Sequence, residues 1–301
     1  MKADYDVVVV GGSFAGLSAA MQLARARRRV LIVDSRAPRN RFAAHSHGFF
    51  GQDGKSPAQI VEEASAQLAA YPTARLIDGE VCAAASLDGR FVLTLRDGSR
   101  FCAERLILAT GVRDELPSLP GLEERWGNSV LHCPYCHGYE VAGRALGVLA
   151  THPLSFHQAM LIPDWGPTTW FTQGMVEPDA EDLAALDARG VRIERAPVVE
   201  ILGDSPAITG LRLADGRIVE IDALFVGTRT HMASDLASQL GCAFDEGPLG
   251  PVIRVDAWKQ TSVPGVFAAG DASNLMTNAT FASASGVAAG VAAHRSLIFT
   301  H

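Results

Sequence analysis

The sequence predicts an α/β protein of two Rossmann-like, three-layer nucleotide-binding domains, the second inserted into the first. Three observations carry that reading. A strand, glycine turn, helix and strand open the chain, a diverged copy of their surroundings follows, and a strand and long helix close it. A length of 301 residues suits two domains of roughly 150 residues each.

Tyr5-Asp6-Val7-Val8-Val9-Val10 is a β-branched run of the kind buried in parallel sheets. It leads into Gly11-Gly12-Ser13-Phe14-Ala15-Gly16, and the stretch from Leu17 to Ala24 reads as a helix. Arg29 to Val33 forms the next strand and ends on Asp34, which lies 18 residues beyond Gly16. A tight glycine turn sets pyrophosphate at a helix N-terminus, and an acid about 20 residues on meets the ribose. Ser13 replaces the middle glycine of the motif, and is small enough to let backbone approach phosphate.

The repeat follows from spacing. Leu93-Thr94-Leu95-Arg96-Asp97-Gly98 matches Leu211-Arg212-Leu213-Ala214-Asp215-Gly216, and Leu106 and Thr110 match Leu224 and Thr228, all at an offset of 118. Each copy predicts a hairpin with an Asp-Gly turn, then an apolar strand ending at Thr. Upstream of the second hairpin lie a strand from Arg144 to Ala150, a helix from Ser155 to Leu161 and a strand from Thr168 to Thr172. Their offset from the first copy is 139. The offsets differ by 21, so the first copy carries about that many extra residues after Asp34, and Arg39 to Pro57 is their expected place. The expected domains are therefore 1–114 with 246–301, and 118–243. The strand Gly265 to Asp271 resumes the first, and a helix from about Thr280 to Ser296 closes it.

Composition narrows the function. With 48% hydrophobic and 20% charged residues the chain is globular, and a net charge of −7 argues against binding nucleic acid. No apolar run reaches the ~18 residues of a membrane span. The chain enters its first strand at Tyr5, so no signal peptide is expected and a cytoplasmic setting is.

Five cysteines, an odd number, do not describe a disulfide-stapled secreted fold. Two form Cys133-Pro134-Tyr135-Cys136, followed by His137. C-x-x-C-His is formally a c-type haem attachment signature, but that chemistry normally follows export. A structural zinc site needs a second ligand pair at matching spacing, and no metal site is expected. The remaining reading is a redox-active dithiol with His137 able to carry a proton. Cys82, Cys102 and Cys242 read as buried small hydrophobes. His45 and His47 are candidates to line a cofactor pocket or to act as hydrogen-bonded structural residues.

At the offset of 139, Gly11, Ser13 and Gly16 correspond to Ala150, His152 and Ser155, with Pro153 inside the loop. A Cβ or imidazole obstructs pyrophosphate, and proline removes an N–H that would bind it. Asp34 corresponds to Gln173, and the acidic run Glu177 to Asp182 follows where a 2′-phosphate would favour Arg. The first copy reads as competent for a dinucleotide, and nicotinamide binding by the second is doubtful.

The glycine turn, Ala109-Thr110-Gly111, the C-x-x-C after the first domain crossing and Gly270-Asp271 together resemble the low-molecular-weight thioredoxin reductase family over essentially the whole chain. The resemblance implies FAD in the first domain, NADPH in the inserted one and a homodimer. It implies that Gly11, Gly12, Ser13, Gly16 and Asp34 hold the ADP part of FAD. Gly270 and Asp271 then meet the ribityl–phosphate region, and the helix start near Thr280 faces the flavin. Ser35, Asn40, Arg41, His45, Ala109, Thr110 and Gly111 join the cofactor-side candidates. Cys136 is implied to exchange with flavin, Cys133 with substrate, and His137 stands where the family has an acid–base Asp.

Asn278-Ala279 departs from the usual Arg-Gln of that family, and the NADPH motifs are missing. Cys133-Pro134-Tyr135-Cys136-His137-Gly138 and the Arg39-to-His47 segment resemble the microbial dithiol oxidases of the gliotoxin and holomycin type. That resemblance implies a small-molecule dithiol or a protein thiol as reductant and O2 as acceptor. The alternatives are a reductase fed by NADPH or a donor such as ferredoxin, and a non-catalytic flavin redox sensor.

Overall fold

The computed structural model describes residues 3–299 as two compact units. The first comprises residues 3–41, 57–114 and 230–299, and the second residues 42–56 and 115–229. Residues 230–243, expected in the inserted domain, thus fall in the first unit, and residues 42–56, expected in the first domain, fall in the second. Side-chain bonds account for the first difference: Gln239 accepts from the Ala84 N–H at 3.1 Å and donates to the Cys82 carbonyl at 3.1 Å. Phe42 accounts for the second, because its Cβ lies 2.8 Å from where a Cβ on Gly127 would stand.

In the first unit, β1 (Tyr5–Val10), β2 (Val30–Asp34), β3 (Ala74–Asp78), β4 (Val81–Leu87), β5 (Arg90–Leu95) and β6 (Arg100–Leu108) form one sheet in the order β3-β2-β1-β6-β5-β4. Strands β1, β2, β3 and β6 run parallel, with Val8 opposite Leu31 and Leu106. Their near-continuous apolar runs reflect burial on both faces: Val8, Leu31 and Leu106 enter one core, Val7, Val9, Val30 and Ile32 the other. Strand β6 serves twice. Its first half pairs antiparallel with β5 and its second half parallel with the strand Val266–Ala268, so hairpin and apolar strand are one element here.

Helix α1 (Phe14–Arg25) and the C-terminal helix Ala279–Ser296 pack together on one face of this sheet. A Cβ on Gly286 would stand 2.1 Å from the Ala15 carbonyl oxygen, and one on Gly290 2.5 Å from that of Ala19. Backbone approach at those two turns seats the C-terminal helix against α1. Helix α2 (Pro57–Ala69) joins the same core through Leu68. Among the described residues no helix is long and apolar enough to cross a membrane.

The second unit repeats the parallel pattern. Its strands Arg192–Glu194, Thr168–Phe171, Leu146–Leu149, Ala223–Val226 and Val130–Leu131 lie side by side in that order, all parallel. A helix at Ser155–Leu161 follows the strand Leu146–Leu149, as predicted. The hairpin has separated from the parallel sheet: Val198–Leu202, Gly210–Leu213 and Ile218–Val219 form their own antiparallel sheet.

Candidate functional site

The first unit builds a cradle at the C-terminal end of β1. Gly11 has φ +104°, and a Cβ there would stand 2.2 Å from the Ala109 carbonyl oxygen. On Gly16 a Cβ would stand 1.8 Å from the Gly11 carbonyl oxygen, and on Gly12 2.8 Å from the Asp34 Cβ. These positions therefore demand glycine so that helix α1 begins directly beneath the turn. Ser13 is the N-cap, yet its side chain caps nothing, and the first turn of α1 holds no acid. The N–H groups of that turn carry the positive end of the helix dipole. Asp34 is buried at 9% exposure and accepts from the Gly12 N–H at 3.1 Å. Its other oxygen is 3.9 Å from Arg36 Nε. A small-residue turn, an uncapped helix start and a buried carboxylate at the second strand end fit the ADP half of a dinucleotide.

Ser35 follows Asp34 directly, and Ala109, Thr110 and Gly111 follow β6 beside the Gly11 turn. Asn40 lies in the 3-10 turn Arg39–Phe42, and Arg41 donates to the Pro38 carbonyl at 3.0 Å. Gly270 and Asp271 open the 3-10 turn Gly270–Ala272, one residue after the strand Val266–Ala268. It is pinned to the C-terminal helix because Ser285 Oγ accepts from the Gly270 N–H at 2.8 Å. That helix starts at Ala279, so Thr280 lies in its first turn, and the Asn278 side chain caps it by accepting from the Phe281 N–H. His45 belongs to the second unit, where Nδ1 lies 3.0 Å from the Gly54 carbonyl oxygen.

Arg39 is the residue that sequence reading passed over. It donates to Asp114 through two nitrogens at 2.6 and 2.8 Å, to Asp271 at 3.0 Å and to Thr277 at 3.2 Å. Burial opposes its charge, but the bonds and fields of Asp114 and Asp271 prevail and hold the guanidinium charged beyond its ordinary range. Its only linear signal was adjacency to Asn40 and Arg41. Its partners lie 75 and 232 residues away.

The second unit carries the dithiol. Cys133 and Cys136 are joined as a disulfide with Cα atoms 5.3 Å apart, and Pro134–His137 forms a single helical turn between and after them. Proline at the first helical position suits that turn, since its missing N–H has no partner to lose. Gly138 closes it by donating to the Pro134 carbonyl at 2.7 Å, and a Cβ there would meet Trp165 Nε1 at 2.7 Å. Tyr135, 73% exposed, stands edge-on to Trp165 with ring centroids 5.7 Å apart. Burial pushes the His137 imidazole below its ordinary pKa; Glu140 opposes this and His47 adds to it. His137 is therefore inclined to be neutral and able to accept a proton. The disulfide follows the strand Val130–Leu131, at the sheet end where parallel α/β folds place ligands.

At the second unit's counterpart of the cradle, side chains occupy what glycine leaves open in the first. Ala150 stands where Gly11 does, and Thr151 donates its hydroxyl to the Gly227 carbonyl. His152 is 9% exposed, with neither ring nitrogen hydrogen-bonded, and Nε2 lies 2.7 Å from where a Cβ on Gly227 would be. Pro153 follows, and the helix start at Ser155 is buried. Gln173, at the Asp34 position, accepts from the Val198 N–H at 2.6 Å. Arg195, which follows the last strand of that edge, is paired with Glu177 at 3.0 Å.

Comparison with known proteins agrees with this geometry. The family model described as pyridine nucleotide-disulphide oxidoreductase matches residues 5–145 and 171–286. The chain is similar to a thioredoxin reductase, tcpT, of Claviceps purpurea (strain 20.1), at 34% identity over 97% of this chain and 94% of that protein. Among solved structures, an oxidoreductase from Agrobacterium tumefaciens is 48% identical with a TM-score of 0.94, covering 100% of both chains. The crystal structure of HlmI is 39% identical with a TM-score of 0.90, covering 97% of this chain and 92% of that one. A glycine cradle in one unit, a disulfide turn in the other and these matches have one meaning: the chain belongs to the pyridine nucleotide-disulphide oxidoreductase family and is a thioredoxin reductase-like flavin disulfide oxidoreductase.

Proposed function

We propose that this enzyme is an FAD-dependent dithiol oxidase, which closes a substrate dithiol to a disulfide and delivers the electrons to O2. The observation that carries the reading is the filled second cradle, where Thr151, His152 and Pro153 stand in the place of a phosphate loop. An enzyme reduced by its thiol substrate needs no nicotinamide there. Gly11, Gly12, Ser13, Gly16, Asp34, Gly270 and Asp271 would hold FAD, which when bound would supply a two-electron acceptor between the dithiol and O2. Thr280 and the residues around Asn40 complete the cofactor side.

The protein residues divide the work. A substrate thiolate attacks the Cys133–Cys136 disulfide at Cys133, and Cys136 leaves as a thiolate. A second substrate sulfur then displaces Cys133 and closes the product disulfide. His137 accepts a thiol proton in that exchange, as its burial-lowered pKa equips it to do. The substrate is a small-molecule dithiol or a protein thiol, and the working form is a homodimer in the cytoplasm.

The test is anaerobic mixing of the oxidised holoenzyme with dithiothreitol or with NADPH while flavin absorbance is followed. We expect the dithiol to bleach the flavin and O2 to restore it, with one peroxide formed per disulfide. Rapid bleaching by NADPH with none by dithiol would overturn the reading in favour of an NADPH-fed reductase.

A further inference from the structure

The segment 42–56 precedes the disulfide by some eighty residues, yet it belongs to the same compact unit. It is a closed loop: Ser46 N–H donates to Lys55 at 2.8 Å, Gly54 N–H to Ser46 at 2.9 Å, and Gly48 N–H to the Asp53 carboxylate at 2.8 Å. That closure aims His47 between two carboxylates. Its Nε2 lies 3.4 Å from Glu140 Oε1 and its Nδ1 3.6 Å from Asp53 Oδ1. Glu140 follows His137 by three residues, in the 3-10 turn Tyr139–Val141 directly after the Cys133–Cys136 turn. The groups facing His47 are therefore Glu140, Asp53, His137 and the His45 ring, whose centroid is 6.2 Å away.

We propose that His47 and Glu140 form a second proton-holding pair beside His137, so that the Cys133–Cys136 dithiol is served by two imidazoles. The inference rests on the dithiol-oxidising direction proposed above. Closing a substrate dithiol breaks two S–H bonds and forms one S–S bond, while the Cys133–Cys136 S–S bond breaks. The electron pair ends on two cysteine thiolates, and two protons must go elsewhere. Neutral His137 takes one. His47 takes the other, with the carboxylates of Glu140 and Asp53 facing its two ring nitrogens. Glu140 lies four residues, about one helical turn, after Cys136, so charge held by the pair bears first on the Cys136 thiolate. His47 is thus a positioning residue for charge rather than a group that contacts substrate sulfur.

Two measurements test this separately from the direction of turnover. In the reduced holoenzyme, the rate of cysteine alkylation by iodoacetamide is followed from pH 5 to 9 for wild type, His47→Gln and Glu140→Gln. We expect the inflection in His47→Gln to move about one unit towards alkaline pH, with about tenfold slower alkylation on the rising limb. Glu140→Gln should move the same way by less, because Asp53 still faces His47. Coincident profiles for all three proteins would overturn the proposal. The more exposed change Asp53→Asn covers the case in which the other two variants lose flavin or melt early: a small alkaline shift supports the pair, and none refutes it. Anaerobic flavin reduction by dithiothreitol should also slow about tenfold in His47→Gln. If dithiol fails to reduce the wild-type flavin, the functional reading falls, while the alkylation profiles still decide the role of His47.

Discussion

Each unit has its own parallel sheet, and the two differ in what occupies the ends of the strands. In the first, Gly11, Gly12 and Gly16 keep Cβ atoms out of the closest backbone approaches of the turn, and Asp34 stands buried at the next strand end. In the second, Ala150, Thr151 and His152 fill the corresponding turn, and Gln173 is consumed by a bond to the Val198 backbone. A second pair of positions diverges as usefully. The strand Val266–Ala268 runs into Gly270-Asp271, whereas Val130–Leu131, in the equivalent place beside Ala223–Val226, runs into His132-Cys133. The parallel core needs only buried apolar strands, so it survives when the ligand-facing loops are rebuilt. One architecture thereby offers a dinucleotide cradle in one copy and a disulfide turn in the other.

The sharpest way to break this division of labour is Cys136→Ser. It should cut dithiol oxidation, read by oxygen uptake, by at least about 10³-fold. The purified protein should keep its flavin spectrum, because the cradle belongs to the other unit. Next is Gly16→Ala, whose Cβ would be driven against the Gly11 carbonyl at 1.8 Å. The flavin-to-protein ratio after purification should fall to a small fraction of wild type, with roughly 1–3 kcal/mol of strain read by denaturant unfolding. Ser155→Ala at the matching place in the second unit should leave both readouts unchanged, since its buried hydroxyl bonds nothing.

Arg39→Gln probes the clamp that spans Asp114, Asp271 and Thr277. Two partly buried carboxylates lose their counter-ion, so stability should drop by about 2 kcal/mol, below the ~3–5 kcal/mol of a fully buried pair. FAD titration should show about tenfold weaker binding, as Asp271 loses its fixed orientation. The smallest effect concerns pH. Burial first, and then Arg229, lower the His152 pKa below the ordinary value, so the unfolded chain binds its proton more readily than the folded one. Stability is therefore lost as pH falls below about 6.5. Replacing the imidazole in His152→Leu should shrink the fall in Tm between pH 7 and 5 by a degree or two. His137 shifts in the same direction and keeps part of that fall in place.

Much of the fold was legible because it rests on local pattern. The runs Tyr5–Val10 and Thr168–Phe171 and the helix Ser155–Leu161 coincide with the predicted strands and helix to within a residue. Burial on both faces of a parallel sheet writes itself as an unbroken apolar run. The hairpins were less legible: β6 is one strand in the first copy, but Ile218–Val219 and Ala223–Val226 are two in the second. Spacing is the same in both, and only packing decides whether the strand continues.

The sequence by itself determined the motifs whose chemistry is local: the glycine turn with Asp34, the Cys133–Cys136 pair with His137, and the residues that spoil the second turn. Their partners are near neighbours in the chain or equivalents at a fixed offset. Tertiary structure alone decided that Arg39 grips Asp114 and Asp271, and that the loop 42–56 brings His47 to Glu140. Those contacts join residues 75 to 232 positions apart. No periodicity records them, because an ion pair closed by folding leaves each partner, in the linear chain, looking like any other charged residue.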